Sequence, residues 1–159
     1  MSQVGAGPAA RAAIALPREM GRGGAELVPM LAGVPLFRNL SRRHLKRVAS
    51  LARMRRFAAE TPIVRAGDAG SAFYVLIDGG ARVVTPKGRA RKLGSGDFFG
   101  EMALLDDSPR SASVVAEGDV LTMTISRSAF GKLLRSEPAL SQELLRTLAA
   151  RLRSAEKTV

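Results

Sequence analysis

Glu101, Arg110 and Ser111 are the residues whose types and spacing could do chemistry in this chain. They lie in Gly94–Ala116, GSGDFFGEMALLDDSPRSASVVA, a stretch that is turn-rich, then apolar, then acidic. Gly94, Gly96 and Gly100 punctuate its first half, where the backbone must take angles that other residues avoid. Glu101–Leu105 suits one helical turn entered through Gly100, and the free N–H groups at the start of such a turn favour an anion, phosphate above all. Arg110 follows between Pro109 and Ser111, with only Ala112 beyond to crowd its approach. A guanidinium fork beside backbone amides and a serine hydroxyl grips one phosphate group. The competing reading is a surface loop with one solvated arginine. It leaves unexplained why a Gly-Glu pair and a Pro-Arg-Ser triplet flank the same apolar turn.

The elements that must hold this stretch come next. From Met54 onward, short apolar runs alternate with turn signals, as an all-β sandwich or barrel requires. Arg53–Phe57, Ile63–Arg65, Ala72–Ile77, Ala81–Thr85 and Ala90–Leu93 read as strands before it, and Ser111–Ala116 and Val120–Ser126 after it. Asp78-Gly79 and Glu117-Gly118-Asp119 read as hairpin turns. Gly67, Gly79 and Gly80 are scaffold residues. Helices flank the strands. Ser41 is the expected N-cap of a helix over 41–52, with Leu45, Val48 and Ala49 as its apolar stripe. Two further helices are expected over 127–157, capped by Ser126 or Ser128 and broken at Pro138. Leu140, Leu144, Leu145, Leu148 and Leu152 form the stripe of the second, suited to packing on the strands or to a dimer seam.

FGEMALL followed by PRSAS resembles the phosphate-binding cassette of the cyclic nucleotide-binding domain, the family of catabolite activator protein and of kinase regulatory subunits. PLFRNLS and GD…AFYVLIDG extend the resemblance from about Val34 to the end. It implies a mainly β fold with flanking helices: an eight-stranded antiparallel β-roll, jelly-roll-like, with the cassette between its sixth and seventh strands. It also implies a ligand site of Phe99, Gly100, Glu101, Met102, Ala103, Arg110, Ser111 and Ala112. Glu101 would accept the ribose 2′-hydroxyl, and Arg110 would pair with the cyclic phosphate. Ser111 and Ala112 would offer N–H groups, with the Ser111 hydroxyl as an extra donor. The position of the base-contacting threonine of catabolite activator protein holds Ala155 here, which leaves Arg151 or Leu152 as the candidate base cap. Ser111 is compatible with either purine, and cAMP is placed ahead of cGMP.

Composition bounds what else the chain can be. Its 159 residues are enough for one domain with a real core, and 46% of them are hydrophobic. Cysteine is absent, so there are no disulfides, thiolate nucleophiles or cysteine zinc sites, and the expected compartment is the cytoplasm. No catalytic triad, metal cluster or carboxylate pair stands out, so the chain reads as a non-enzyme without cofactor or metal. Asp106 and Asp107 are expected in solvent, as is the single histidine, His44. The net charge of +11 draws anions of any kind. Its densest cluster, Arg38–Arg56, contains no acid and reads mainly as a solvated face. Residues 1–30 read as a disordered Gly/Ala/Pro tail without a membrane-spanning or signal-like run, and 31–159 as the domain.

The functional expectation is a stand-alone cyclic nucleotide sensor acting in trans on a protein effector, without a helix-turn-helix DNA-binding domain. A homodimer through the C-terminal helix is a candidate assembly. The alternative is an interaction adaptor that has lost nucleotide binding and works through its basic surface.

Overall fold

The computed structural model describes residues 27–88 and 90–157. Its elements run α1 (Val28–Ala32), a 3-10 turn (Pro35–Phe37), α2 (Arg42–Leu51), β1 (Ala52–Phe57), β2 (Pro62–Val64), β3 (Ala72–Val84), β4 (Ala90–Leu93), β5 (Phe98–Phe99), α3 (Glu101–Leu105), β6 (Ser113–Ser126), α4 (Arg127–Ser136) and α5 (Pro138–Lys157). The strands form one antiparallel sheet in the order β1-β6-β3-β4, with β2 paired to β6 and β5 to β3.

Successive side chains of a strand point to opposite faces, so a strand buried on both faces is apolar throughout. The run FYVLI in β3 is such a case. Phe73, Val75 and Ile77 join Met123 and Ile125 of β6 in a core beneath the helices, with Phe37, Val48, Phe130 and Leu133. Phe73 stacks on Phe130 there, ring centroids 4.6 Å apart. Tyr74 and Leu76 point the other way, into a second core inside the roll with Leu93, Phe99, Val114 and Val120. Thr122 and Thr124 are buried on that second face, and their hydroxyls donate to the carbonyls of Arg55 and Arg53 at 3.1 Å each. The hydroxyls are satisfied, which makes their burial inexpensive.

Six strands stand where eight short ones are expected. The difference lies at the two glycine turns. Asp78-Gly79 does not end a strand: β3 runs through it with register shifts at Leu76/Asp78 and Asp78/Gly80. Glu117-Gly118-Asp119 likewise lies inside β6. Gly79 has φ +90°, and a Cβ there would stand 2.5 Å from the Asp119 carbonyl oxygen. The two strands therefore bulge against each other and bend as a pair, which curls the sheet without breaking it.

The helical caps follow local chemistry. Ser41 accepts from the His44 amide at 3.3 Å, and Ser126 from the Ala129 amide at 3.2 Å. Residues 27–30, expected in the tail, belong to the fold: Leu27 is fully buried, and Val28 opens α1. The remainder of that expected tail, 1–26, lies outside the described residues. Two acids of the C-terminal segment turn toward the N-terminal helices. Glu137, between α4 and α5, is buried with its Oε2 3.2 Å from His44 Nδ1 and its Oε1 4.0 Å from Arg47 Nε. Glu143 is buried 3.3 Å from Arg38 Nε. His44 therefore faces a carboxylate rather than open solvent, and Arg38 and Arg47 are partly consumed inside the molecule. In α5, Leu140 and Leu144 are buried, whereas Leu145 and Leu152 are 66% and 61% exposed, so the expected five-leucine packing stripe divides in two.

Candidate functional site

The site grows out of the corner between β5 and β6. Phe98 and Phe99 pair with Val75 and Tyr74 of β3, and Phe99 stacks on Tyr74 with centroids 4.9 Å apart. That stack anchors the entry to α3. Gly100 turns the chain with φ +92°, and no side chain caps the first N–H groups of α3. A Cβ at position 100 would come within 2.8 Å of Arg110 Nη1 and 3.0 Å of the Ala72 carbonyl oxygen, so only glycine fits.

Arg110 is 7% exposed. Its Nη2 donates to the Ala72 carbonyl at 2.8 Å and its Nη1 to the Gly100 carbonyl at 3.1 Å, and its guanidinium lies 5.8 Å from the centre of the Tyr74 ring. These partners orient the side chain without cancelling its charge. Burial pushes its proton affinity down from the ordinary arginine value, and Tyr74 and Glu101 pull it back up. An arginine remains a cation through such shifts.

Glu101, the first residue of α3, is 3% exposed. Its carboxylate accepts from Arg151 Nη1 at 2.8 Å. Arg151 reaches in from α5, donates its Nη2 to the Phe98 carbonyl at 3.2 Å, and lies 4.4 Å above the centre of the Phe98 ring. The C-terminal helix is thus tied to the cassette through the carboxylate expected to hold a ribose. A second arginine fixes the cassette from outside. Arg127, first in α4, donates to the carbonyls of Gly70 at 3.0 Å and Ala103 at 2.9 Å and pairs with Asp107. Asp107 is therefore engaged, not simply solvated. Asp106 accepts from the Ser108 amide at 3.1 Å.

One cavity of about 980 Å³ collects these groups. All eight expected cassette residues, Phe99 to Ala103 and Arg110 to Ala112, line it. So do Arg151, Leu152 and Ala155 from α5. Three wall regions were not singled out from the sequence: Val64 with Val114, Val83 with Arg91, and Thr147 with Leu148. Leu148 was assigned to the packing stripe, one turn before Arg151. Arg91 had a readable signal, because it lies two residues before the buried Leu93 on a short strand and so shares its face. Among the described residues, no group of three histidines or acids could hold a metal ion. No helix among them is long and apolar enough to cross a membrane.

The geometry agrees with comparisons to known proteins. The family model of the cyclic nucleotide-binding domain matches residues 54–137. A cAMP-dependent protein kinase regulatory subunit from Hypocrea atroviridis is 36% identical over 104 residues, 65% of this chain and 22% of that protein. The cyclic AMP receptor protein of Thermus thermophilus is 35% identical over 131 residues, 79% of this chain and 61% of its own length. The regulatory domain of Toxoplasma gondii PKA, solved with cAMP, superposes with a TM-score of 0.71 at 27% identity, over 80% of this chain and 49% of that one. The chain therefore spans only part of each of these relatives. A β-roll interrupted by a cassette of buried Glu101 and Arg110, and matched over more than half its length, makes this chain a member of the cyclic nucleotide-binding domain family.

Proposed function

We propose that this domain is a non-catalytic sensor that binds a purine 3′,5′-cyclic nucleotide and reports it through its C-terminal helices. One observation carries the reading. Arg110 and Glu101 are buried on the wall of one cavity, and Arg110 is oriented by neutral carbonyls that leave its charge for an anion. A single phosphate meets Arg110, the open N–H groups of α3 and Ser111. The ribose hydroxyl beside that phosphate meets Glu101. A cyclic phosphodiester holds these two groups at a fixed short separation, which suits two side chains nine residues apart on one rigid turn. cAMP is bound by the Toxoplasma relative, and it or cGMP is the ligand class here.

The output follows from Arg151. Its ion pair with Glu101 competes with the ribose hydroxyl for the same carboxylate. Ligand entry therefore shifts α5 between two arrangements, to the extent that the ligand binds them differently. An effector protein reads that shift, and the cysteine-free sequence suits a cytoplasmic setting. Leu145 and Leu152, exposed seven residues apart on α5, are the face through which a second copy would pair. The adaptor alternative gains nothing from Arg38 and Arg47, which face Glu143 and Glu137.

Thermal unfolding with cAMP, cGMP and 5′-AMP tests the reading. A ligand at a hundred times its dissociation constant adds about 2.7 kcal/mol. At this size that raises the midpoint by roughly 5–10 °C. Stabilisation by a cyclic nucleotide and none by 5′-AMP is the expected result. No shift with millimolar cyclic nucleotide would overturn the assignment.

A further inference from the structure

α2 runs straight into β1, and both elements are basic on their outer sides. Arg42, Arg43 and Lys46 of α2 and Arg53, Arg55 and Arg56 of β1 are all exposed. Among the described residues, none of them forms an ion pair. The acids that come near are spent on other cations. Glu137 faces His44 and Arg47, Glu143 faces Arg38 and Arg146, and Glu60 holds Arg82. β1 also ends the sheet order. It pairs with β6 in unbroken register from Ala52↔Ile125 to Phe57↔Val120, and among the described residues no other strand pairs with it. Half of the N–H and C=O groups of such an edge strand point away from the sheet. Arg53 and Arg55, two residues apart, share one face of the strand. The Arg55 guanidinium lies 5.0 Å from the centre of the Phe57 ring. A neutral ring orients the cation without cancelling its charge.

We propose that the free edge of β1, flanked by the basic face of α2, docks an extended acidic segment of a partner protein, which joins the sheet as a further strand. The segment's backbone pairs with the open groups of β1, and carboxylates at alternate positions stand opposite Arg53 and Arg55. Charge decides among the occupants. A second copy of a chain with net charge +11 is repelled. Residues 1–26 are no better match, because Arg11, Arg18 and Arg22 outnumber Glu19 and Glu26 there. An anionic bilayer fits less well, since the large exposed apolar side chains, Met102, Leu105, Leu145 and Leu152, all lie on α3 and α5. Single-stranded nucleic acid stacks on open aromatic rings, and Phe57 of β1 is already covered by Arg55. The inference is independent of what the cavity binds. The competing explanation is that the arginines only guard the edge against pairing. Arginines kept for that purpose refuse an added strand.

The test is fluorescence anisotropy with a labelled peptide of about eight residues that alternates threonine and glutamate. The parent protein is expected to bind it saturably at low salt and more weakly as salt rises. The same peptide methylated on every backbone nitrogen keeps its charge but cannot donate to an edge, and is expected to bind about tenfold or more weaker. Arg53→Glu with Arg55→Glu turns two cross-strand attractions into repulsions, and is expected to weaken the unmethylated peptide by about tenfold or more. Both side chains are exposed, and the melting temperature checks that the fold is kept. Arg42→Glu with Arg43→Glu is a second variant, since acids in the first turn suit the helix dipole, and a loss of about threefold or more is expected. Equal binding of the methylated peptide reduces the surface to diffuse charge and overturns the proposal. So does unchanged binding by the Arg53 and Arg55 variant, or tighter binding of a thymidine oligonucleotide or of phosphatidylserine vesicles than of the peptide. No saturable binding by the parent up to about 1 mM peptide leaves the arginines as edge guards and overturns the proposal as well.

Discussion

Two arginines from different elements line the same cavity and are held in different ways. Arg110 comes from the loop between α3 and β6 and is fixed by two main-chain carbonyls, Ala72 and Gly100. Arg151 comes from a helix and is fixed by the carboxylate of Glu101. Neutral partners orient a guanidinium and leave its charge available. A charged partner spends that charge, and must be given up or shared when ligand arrives. One end of the cavity is thus prepared in advance, and the other is an exchangeable latch. Under the proposed function, binding strength would belong mainly to the first end and signalling to the second.

This contrast can be broken most directly at Arg110. Arg110→Leu removes the buried cation and is expected to weaken cyclic nucleotide binding by about 2–5 kcal/mol, roughly thirtyfold to several thousandfold in titration calorimetry. Retained affinity would mean that the prepared end is elsewhere. Gly100→Ala probes the same end through the backbone. Its Cβ clashes with Arg110 Nη1 at a φ that favours glycine. A loss of about 1–3 kcal/mol is expected, a fall of roughly 3–10 °C in melting temperature, together with weaker ligand binding.

Arg151→Ala sharpens the other half. It removes a competitor for Glu101 and a cover for the base together, so the dissociation constant is expected to move less than about tenfold. Association and dissociation rates, followed by stopped flow with a fluorescent cyclic nucleotide, should both rise. A loss as large as that of Arg110→Leu would erase the distinction between grip and latch. The smallest effect is expected from a pair outside the cavity. Arg82 donates to Glu60 at 2.9 Å on the exposed side of β3, and this hydrogen bond and the arginine charge lower the Glu60 proton affinity below its ordinary value of 4.5. A carboxylate with a depressed folded-state value contributes stability above its unfolded value and loses it as pH falls through the folded one. Glu60→Gln should therefore leave the melting temperature almost unchanged at pH 7 and flatten its decline only below about pH 4.5.

The cassette was legible because its function is local. Gly100, Glu101 and Arg110 lie within eleven consecutive residues, so the spacing that makes the grip is written in one stretch. The strand pattern was legible for the same reason, as with FYVLI in β3. The bends at Asp78–Gly80 and Glu117–Asp119 were not. A glycine pair that ends a hairpin and one that bulges a continuous strand look alike until the partner strand is in place, and here Asp119 of β6 is the neighbour that decides. The basic face is largely solvated, as expected, and only the partners of Arg38, His44 and Arg47 were not legible. Its counter-charges, Glu137 and Glu143, lie about a hundred residues away.

By itself the sequence determined the alternating strands, the serine-capped helices, the glycine entry to α3 and the pairing of an acid with an arginine across one turn. Each of these depends on propensities and spacings within a dozen residues. The tertiary structure decided which charges are spent and which remain open. Arg151 reaches Glu101 across fifty positions, and Arg91 enters the cavity wall only because β4 pairs with β3 there. Sequence distance carries no record of such meetings, because they arise from the curl of the sheet and the return of the last helix over it.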